Sequence, residues 1–530
     1  MQFPQLSPLR QLGVTTWVTA TLLVGCSTPS VAPIASNPAL ACRALQGQSI
    51  GQQQATITEA TLIPQGDGML EHCRVVAALT DSALRFDVRL PTSGWNGRFL
   101  ALGGGGFKGE IFVPTRPNYS ASVTRDGWAT MATNGGYDFP QRDAEYFRAE
   151  FAYDTMKLAD YTYLSIHRSL PLAKEVLQLY YGKPAQRHYF EGCSAGGHEG
   201  MMLSQRFPAD FDGIIARAPA GNFPGLFLQF NRFSKAQRAA GGQLNESKQT
   251  LLAQAVLQHC DAADGLRDGI VSNPRSCNFN PAVLRCTGGA DTGNQCLSDA
   301  QINTVLTATS EYRTAKGQLL HAGVNWGGED HRTKGWGEYL WPWPQAPFSG
   351  ESVATRFSDG FIRSFVVREG GYDTLQFNPD QWSSTLSLLG QQFGAFNPDL
   401  SAYRARGGKL ILWNGEQDTA VSSRETARYT DAVVQRLGQS GADEVLETYL
   451  APGVGHCSGG TGPDRIELLR AMVQWVEHGV APSRQNLTHN QLDASGTPIV
   501  TRPACKYPTY PRYKGSGDPN KPDSFVCSAS

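Results

Sequence analysis

The chain has 530 residues, of which 40% are hydrophobic and 18% charged, a balance that is typical of a globular protein and excludes a largely disordered one. The 46 basic residues nearly match the 47 acidic ones, which leaves a formal net charge of −1. Because no basic stripe runs along the sequence, we do not expect nucleic acid as a partner.

An apolar run near the N-terminus is typical of an export signal. Residues 12–24 follow Arg10 and form a run too short for a comfortable membrane span. Small residues precede Cys26, as in a bacterial lipobox, so residues 1–25 are predicted to be a lipoprotein-type signal peptide and Cys26 a lipid anchor. Ordinary cleavage nearby, with Cys26 as an incidental thiol, is the alternative. We expect an exported protein, either periplasmic, anchored to the outer membrane or extracellular, with a flexible linker over residues 26–40.

The cysteine count predicts a disulfide framework. Ten of the eleven cysteines remain when Cys26 is set aside, and no Cys-x-x-Cys spacing suggests zinc or redox chemistry. Connectivity does not follow from sequence alone. Pairing nearest neighbours along the chain would join Cys42 to Cys73, Cys260 to Cys277, Cys286 to Cys296 and Cys505 to Cys527. Cys193 and Cys457 are then left over.

Strand and helix patterns alternate in two stretches of the chain. The first stretch predicts strands at 85–90, 98–102, 128–133, 188–191 and 213–218, and helices at 151–181, interrupted at Pro171, and at 197–206. The second stretch predicts strands at 409–413 and 445–450, and helices at 425–437 and 466–478. Such alternation predicts an α/β fold with a mostly parallel sheet covered on both faces.

The block between these stretches, residues 221–396, breaks the alternation and is rich in aromatic residues and glycine. We expect it to be a large lid domain inserted above the strand ends, where such sheets bind ligands. The catalytic domain would then comprise residues 41–220 and 397–530.

One motif predicts a serine nucleophile. Ser194 lies in Gly192-Cys193-Ser194-Ala195-Gly196, between a predicted strand and a predicted helix. This context lets a strained turn lift the serine hydroxyl above a sheet, and the flanking glycines permit close backbone approach. A structural turn with an idle serine is the alternative.

A serine hydroxyl needs a base, and the base needs an orienting acid. In α/β folds that carry such a serine turn, the order along the chain is Ser, acid, His. Asp418 and His456 each follow a predicted strand, and they occur in that order after Ser194. Glu416 and Asp431 are competing acids, and His198 is a competing base with an alternative role in packing.

The two unassigned cysteines fit this assignment, because Cys193 precedes Ser194 and Cys457 follows His456. If serine and histidine lie within hydrogen-bonding reach, their neighbours could come within disulfide distance. The oxyanion of the reaction needs backbone donors, and we expect the amides of Ala195 and Gly106, with Gly105 as an alternative to Gly106.

An acidic, glycine-containing cluster follows Cys260. Asp261, Asp264 and Asp268 are spaced three and four residues apart, which allows their carboxylates and nearby carbonyls to face one hard cation. The spacing is not that of an EF-hand. Calcium is the predicted ligand, and an acidic solvated turn is the alternative.

These segments together resemble the tannase and feruloyl esterase family. The resemblance is carried by 192–197 with 199–202, by 205–208, 211–214 and 260–270, by 452–457 and by the tail 512–518, and it covers nearly the whole mature chain. It implies an α/β-hydrolase fold with a lid, a triad of Ser194, Asp418 and His456, and a disulfide between Cys193 and Cys457. It also implies calcium held in the lid by Asp261, Asp264 and Asp268 and by the carbonyls of Leu266 and Ile270.

The family's substrates are esters of aromatic acids such as ferulate and gallate. Among the lid aromatics, Trp336, Tyr339 and Phe361 are predicted to bind substrate, and Trp341, Trp343 and Phe357 are further candidates. Arg356 or Arg363 could meet a substrate carboxylate. Hydrolysis of mono-hydroxyethyl terephthalate, peptidase or amidase action, and a non-catalytic surface lipoprotein with a hydrolase fold are the alternatives.

Overall fold

The computed structural model describes residues 37–66, 69–111, 126–139, 147–342 and 350–529. The predicted signal peptide, Cys26 and Trp343 lie outside these residues. Among the described residues, no helix combines the length and the apolar character needed to cross a membrane.

A mixed sheet forms the centre of the molecule. Its strands within the described residues are β1 (Ser49–Ile50), β2 (Ala55–Ile63), β3 (His72–Leu79), β4 (Arg85–Pro91), β5 (Arg98–Leu102), β6 (Ala129–Thr133), β7 (Arg187–Cys193), β8 (Gly213–Arg217), β11 (Lys409–Gly415) and β12 (Leu446–Ala451). They lie side by side in the order β1-β2-β3-β4-β6-β5-β7-β8-β11-β12. The neighbouring strands β1 through β4 pair antiparallel with one another, and β4 pairs antiparallel with β6. The remaining pairings are parallel.

The parallel half of the sheet matches the prediction closely, because its strands are continuous apolar runs buried on both faces. The edge strands β1 to β3 were not predicted. Their alternation is broken by a register shift between Ile57 and Glu59.

Helices cover both faces of the sheet. Ser165–Tyr181, Ala195–Arg206 and Ser423–Asp443 pack on one face, and Leu468–His478 packs on the other. Short helical segments at Glu150–Tyr153, Thr155–Ala159 and Asp160–Leu164 lead into the first of these, the last being a π-helical turn, and Ser401–Ala405 precedes β11.

The prediction that Pro171 interrupts its helix is wrong, since Ser165–Tyr181 runs through it. A proline in a helix interior costs about 3 kcal/mol. Leu170, Leu172, Ala173 and Val176 on the same helix are buried, and their packing outweighs that cost.

The block 221–396 contributes no described strand to the central sheet. Its helices are Phe223–Arg238, Glu246–Cys260, Asp299–Thr309, Trp336–Tyr339, Val353–Phe361 and Ser383–Phe393, with a π-helical turn at Ile362–Val367 and the small strand pair β9 (Tyr312–Arg313) and β10 (Leu319–His321). Short 3-10 turns lie at Asp261–Asp264, Pro274–Ser276, Pro281–Leu284, Thr287–Gly289, Thr374–Gln376 and Pro379–Trp382. We call this block the lid. Its aromatic core is continuous with residues of the sheet domain such as Phe107 and Cys193.

Elements at the two ends of the described chain were not anticipated. The helix Pro38–Arg43 begins inside the predicted linker, because the Asn37 side chain caps the amides of Ala39 and Leu40. Near the C-terminus, β13 (Thr488–Leu492) pairs with β14 (Pro498–Pro503), and β15 (Tyr510–Tyr513) pairs with β16 (Phe525–Ser528). Short turns at Pro482–Arg484 and Pro522–Ser524 accompany them.

Candidate active site

Ser194 occupies a strained turn between β7 and the helix Ala195–Arg206. Its φ of 64° and ψ of −119° are rare for a residue with a side chain, and such strain is characteristic of functional turns. A Cβ on Gly192 would lie 2.5 Å from a backbone atom of Gly196, and a Cβ on Gly196 would lie 2.7 Å from the carbonyl oxygen of Gly104. The turn therefore requires glycine on both sides of the serine.

The carboxylate of Asp418 orients His456. Asp418 Oδ2 lies 2.8 Å from His456 Nδ1, and Asp418 Oδ1 accepts hydrogen bonds from the amides of Ala420 and Val421, both at 2.8 Å. Burial of the imidazole lowers the pKa of His456, but the charge and hydrogen bond of Asp418, with a smaller contribution from Glu338, raise it above its usual value overall.

The competing residues have structural partners instead. Glu416 is buried and accepts hydrogen bonds from Asn325 and Ser423, and Asp431 accepts one from the Tyr507 hydroxyl. His198 lies 2.6 Å from the carbonyl oxygen of Phe393, and burial lowers its pKa to about 4. It connects the helix after Ser194 to the lid.

Cys193 and Cys457 form a disulfide with a Cα–Cα distance of 6.2 Å. This bond holds the serine turn next to the histidine loop, although no hydrogen bond joins Ser194 to His456 among the described residues. Catalytic hydrogen bonds are often long without substrate and tighten when it binds.

The other four pairs expected from nearest-neighbour pairing are also present in the structure. They are Cys42–Cys73, Cys260–Cys277, Cys286–Cys296 and Cys505–Cys527.

The glycine run after β5 approaches the serine turn. We call residues 103–107 the glycine loop. The amide of Gly196 donates to the carbonyl of Gly104, and the Tyr161 hydroxyl donates to the carbonyl of Gly106 at 3.1 Å. Gly106, Ser194 and Ala195 line the same cavity, so both predicted oxyanion donors lie beside the serine.

This cavity has a volume of about 40 Å³ and a wall that is largely aromatic. Besides Gly106, Ser194 and Ala195, its lining comprises Tyr161, Ala220, Phe223, Leu226, Phe227, Phe230, Tyr339, Phe357, Ala420 and Val421. The Tyr339 ring also meets the His456 imidazole edge-on, with ring centroids 5.2 Å apart. A larger cavity of about 620 Å³ between Gln52–Gln54 and Arg168 contains none of the candidate catalytic residues.

Of the three predicted substrate-binding residues, only Tyr339 lines the cavity. Trp336 and Phe361 are fully buried in the lid core, where Trp336 stacks on Trp326 and Phe361 stacks on Phe227. Burying these large rings stabilises the lid, so the sequence density of aromatics did not distinguish core from wall.

The two arginines considered for a substrate carboxylate face another part of the lid. Arg356 and Arg363 line a separate cavity, with Arg356 Nε 3.3 Å from Glu351 and an Arg363 nitrogen 3.6 Å from Asp359. Their charges are therefore directed at lid carboxylates rather than at Ser194.

The sequence prediction missed one side of the cavity. Phe223, Phe227 and Phe230 lie on one face of the helix Phe223–Arg238 and point towards Ser194. Their spacing of four and three residues marks an apolar helix face and could have identified them.

The predicted calcium residues lie in one segment, 261–270, but their carboxylates are not gathered around a common point. Asp261 and Asp264 are buried, and burial raises the pKa of both carboxyls, that of Asp264 to about 6. Their oxygens accept hydrogen bonds from backbone amides, and Asp268 pairs with Arg502 at 2.9 Å. Among the described residues, no three acidic, histidine or cysteine side chains are arranged as a metal cluster. The donor set has the chemistry that Ca²⁺ prefers, but the present arrangement is not a closed cage.

Comparison with known proteins agrees with this geometry. Residues 69–528 match the model of a family described as tannase and feruloyl esterase. The chain belongs to the tannase and feruloyl esterase family. Its sheet, covering helices and lid accordingly form an α/β-hydrolase fold.

The similar proteins include a hydrolase named for mono(2-hydroxyethyl) terephthalate and esterases named for feruloyl esters. The mono(2-hydroxyethyl) terephthalate hydrolase of Piscinibacter sakaiensis is 33% identical, with 94% of this chain and 92% of the relative aligned. Feruloyl esterase B of Aspergillus niger is 31% identical over 91% of each chain. The crystal structure of feruloyl esterase B from Aspergillus oryzae superposes with a TM-score of 0.80 at 26% identity, covering 93% of this chain and 100% of the other. The chain is therefore a carboxylic ester hydrolase of this family.

Proposed function

We propose that this hydrolase cleaves esters of aromatic acids of the feruloyl or galloyl type, with Ser194 as nucleophile. The observation that supports this most strongly is the cavity beside Ser194, whose wall carries six aromatic side chains. Flat aromatic rings pack favourably against such a wall in stacked or edge-on geometry.

In the proposed mechanism His456 takes the proton from the Ser194 hydroxyl as the oxygen attacks the ester carbonyl carbon. Asp418 holds the proton on Nδ1 of the imidazole, so that Nε2 is the basic nitrogen, and stabilises the imidazolium that forms. His456 then returns the proton to the leaving alcohol oxygen as the carbonyl–oxygen bond breaks. Water, deprotonated by the same imidazole, releases the aromatic acid from Ser194.

The negative charge that develops on the carbonyl oxygen needs fixed donors. The Ala195 amide is at the N-terminus of the helix Ala195–Arg206, where the first N–H groups have no partner within the helix. With the Gly106 amide across the cavity, it would form the oxyanion hole.

Terephthalate monoesters are the second candidate substrates, favoured by the identity to the Piscinibacter sakaiensis enzyme. The described wall of the cavity offers no cationic side chain for a free carboxylate. We therefore place uncharged aromatic esters ahead of them.

A hydrolysis panel tests the proposal. Methyl ferulate and methyl gallate, which carry no free carboxylate, should be cleaved with higher kcat/KM than mono-hydroxyethyl terephthalate or a short aliphatic ester. Ser194→Ala should abolish turnover, with a loss of the order of 10⁴-fold or more, and leave the fold intact. A fluorophosphonate should label wild-type Ser194. Retained activity in the pure variant, or absence of the adduct, would contradict the assignment and favour a non-catalytic binding protein.

We also propose that the turn 261–270 binds a structural Ca²⁺ through Asp261, Asp264 and Asp268 and the carbonyls of Leu266 and Ile270. What supports this is the acidic donor set itself, because neighbouring buried carboxylates repel each other without a cation.

Finally, we propose that the protein is exported and anchored through a lipid on Cys26, which the small residues before this cysteine support. Mass spectrometry of the mature N-terminus tests this, since a diacylated Cys26 is expected and an unmodified terminus elsewhere would contradict it.

A further inference from the structure

A buried ion pair lies directly behind the glycine loop. Lys108 and Glu199 side chains are 1% and 3% exposed, and Lys108 Nζ lies 2.5 Å from Glu199 Oε1. Taking two charges out of water is costly, and apolar replacements of such pairs are often neutral or stabilising. The pair is therefore better explained by what it holds in place than by stability.

Besides a hydrogen bond from Ser165 to Glu199, the pair makes two hydrogen bonds that connect it, directly or through Tyr161, to the glycine loop. Glu199 Oε2 accepts the amide of Gly104 at 3.0 Å, and Lys108 Nζ donates to the carbonyl of Tyr161 at 2.7 Å. Tyr161 in turn donates its hydroxyl to the carbonyl of Gly106. The contacts close a ring from Lys108 through Tyr161, Gly106, Gly104 and Glu199.

Local backbone structure makes room for this ring. Tyr161 lies in the π-helical turn Asp160–Leu164, a type of turn that often occurs at functional sites. The Lys108 stem packs against two glycines, since a Cβ on Gly104 or Gly135 would approach it to 2.8 or 2.6 Å. The lysine thus lies in a channel that only glycine can line.

We propose that Lys108 and Glu199 are positioning residues that set the glycine loop so that the amide of Gly106 points at the oxyanion. Both act through the loop and neither lines the cavity. The inference rests on the proposed function in so far as Gly106 is an oxyanion donor. A carboxylate suits position 199 because its two oxygens accept from Gly104 and from Lys108 at once, whereas an amide has a single oxygen.

The test compares wild type with Glu199→Gln and with the double variant Lys108→Met/Glu199→Gln. Glu199→Gln should lower kcat by about tenfold to a hundredfold and change KM less than threefold, because the loop would misplace a donor that acts in the transition state. The double variant should recover most of kcat, since the Gln oxygen can accept from Gly104 and its NH₂ group no longer faces an ammonium. Such non-additivity would demonstrate the coupling.

Lys248→Met is the matched control. Lys248 is a buried lysine of the lid that contacts Asp291 and Gln301, away from the cavity. This variant should lose stability but keep kcat. Equal losses of kcat in Lys248→Met and Glu199→Gln would overturn the inference. So would a kcat within twofold of wild type in both Glu199→Gln and the double variant Lys108→Met/Glu199→Gln.

The rate of fluorophosphonate labelling of Ser194 is measured in parallel, because it needs no particular ester. If wild type labels but cleaves no aromatic ester, the proposed substrate class fails while slower labelling of Glu199→Gln still supports the positioning role. If Glu199→Gln does not fold, Ser165→Ala takes its place, since Ser165 donates to Glu199 at 3.2 Å. It should lower the labelling rate, and an unchanged rate would overturn the inference.

Discussion

At the scale of single residues, a hydrogen bond joins the proposed acid Asp418 to the proposed base His456, whereas none joins His456 to the proposed nucleophile Ser194 in the part of the chain that the structure describes. Asp418 makes three hydrogen bonds, to His456 and to two backbone amides, so its carboxylate has a fixed direction. His456 has a raised pKa because this charge stabilises its protonated form despite burial.

A pH profile follows from this shift. The base must be neutral to accept a proton, so kcat/KM should fall as pH drops through the raised pKa, and the acid limb should lie above the usual His value of about 6.5. Asp418→Asn removes the charge that raises the pKa, so the limb should move to lower pH. The same variant should lower kcat by about 10⁴-fold because the wrong tautomer is favoured.

Asp431→Asn provides the comparison. The carboxylate of Asp431, an acid further along the chain, accepts hydrogen bonds from the Tyr507 hydroxyl, and its variant should keep both the profile and kcat within twofold. An acid limb unchanged in Asp418→Asn would show that another group titrates.

At the scale of elements, the turn Asp261–Asp264 and the residues after it connect the lid to the C-terminal hairpins. Asp268 pairs with Arg502 on β14, and the disulfide Cys260–Cys277 closes the segment. A cation bound here would therefore stabilise the lid and the hairpin region together.

Calcium removal should accordingly lower thermal stability. Compared with protein saturated with calcium, EGTA-treated protein should have a Tm lower by roughly 5 °C, and added Mg²⁺ should not restore it.

The stability of the ion-free protein should also depend on pH. Because burial raises the pKa of Asp264 in the folded state, folding favours its protonated form, so the free energy of unfolding falls as pH rises from about 4 towards about 6. Calcium should then stabilise more at pH 8 than at pH 5.

Asp264→Asn should abolish the calcium-dependent part of Tm, whereas Asp299→Asn, an exposed lid acid paired with Arg285, should retain it. A Tm that EGTA leaves unchanged in wild type would argue for a solvated turn without metal.

At the scale of the whole molecule, one covalent bond spans the inserted lid. Cys193 and Cys457 are 264 residues apart and carry the serine turn and the histidine loop. Closing so long a loop restricts the unfolded chain, with a stabilisation of up to about 5 kcal/mol on the loop-entropy model.

Cys193→Ala/Cys457→Ala should therefore lower both the free energy of unfolding and kcat, because the two catalytic segments are no longer tied. Cys286→Ala/Cys296→Ala removes a bond of sequence separation 10 within the lid. It should cost less stability, about 3 kcal/mol on the same model, and leave kcat unchanged. Urea unfolding and steady-state kinetics measure both, and equal kcat in the two variants would contradict a catalytic role for the longer bond.

Sequence patterns were sufficient to predict the parallel half of the sheet, and they indicate which residues at its edge are the candidate catalytic ones. Buried parallel strands are continuous apolar runs, and a glycine-flanked serine, a post-strand aspartate and a post-strand histidine follow the chain order of this fold. These signals are local, so they can be read without knowing the fold. The patterns predicted no helices or strands inside the lid and neither of the hairpins from Thr488 to Ser528, whose short strands carry little periodic signal.

The sequence by itself determined the family and the candidate triad, because each depends on residue identity and order, whereas the five cysteine pairs that it suggested were established by the structure. Only the tertiary structure decided which aromatic residues form the cavity wall and which form the core, since Phe227 and Phe361 stack on each other but only Phe227 lines the cavity. It also revealed the pair of Lys108 and Glu199, which are 91 residues apart and meet only because the glycine loop and the serine turn pack together. Which side chains are buried and which touch each other depends on the folded chain, whereas residue identity fixes only the chemistry of each side chain.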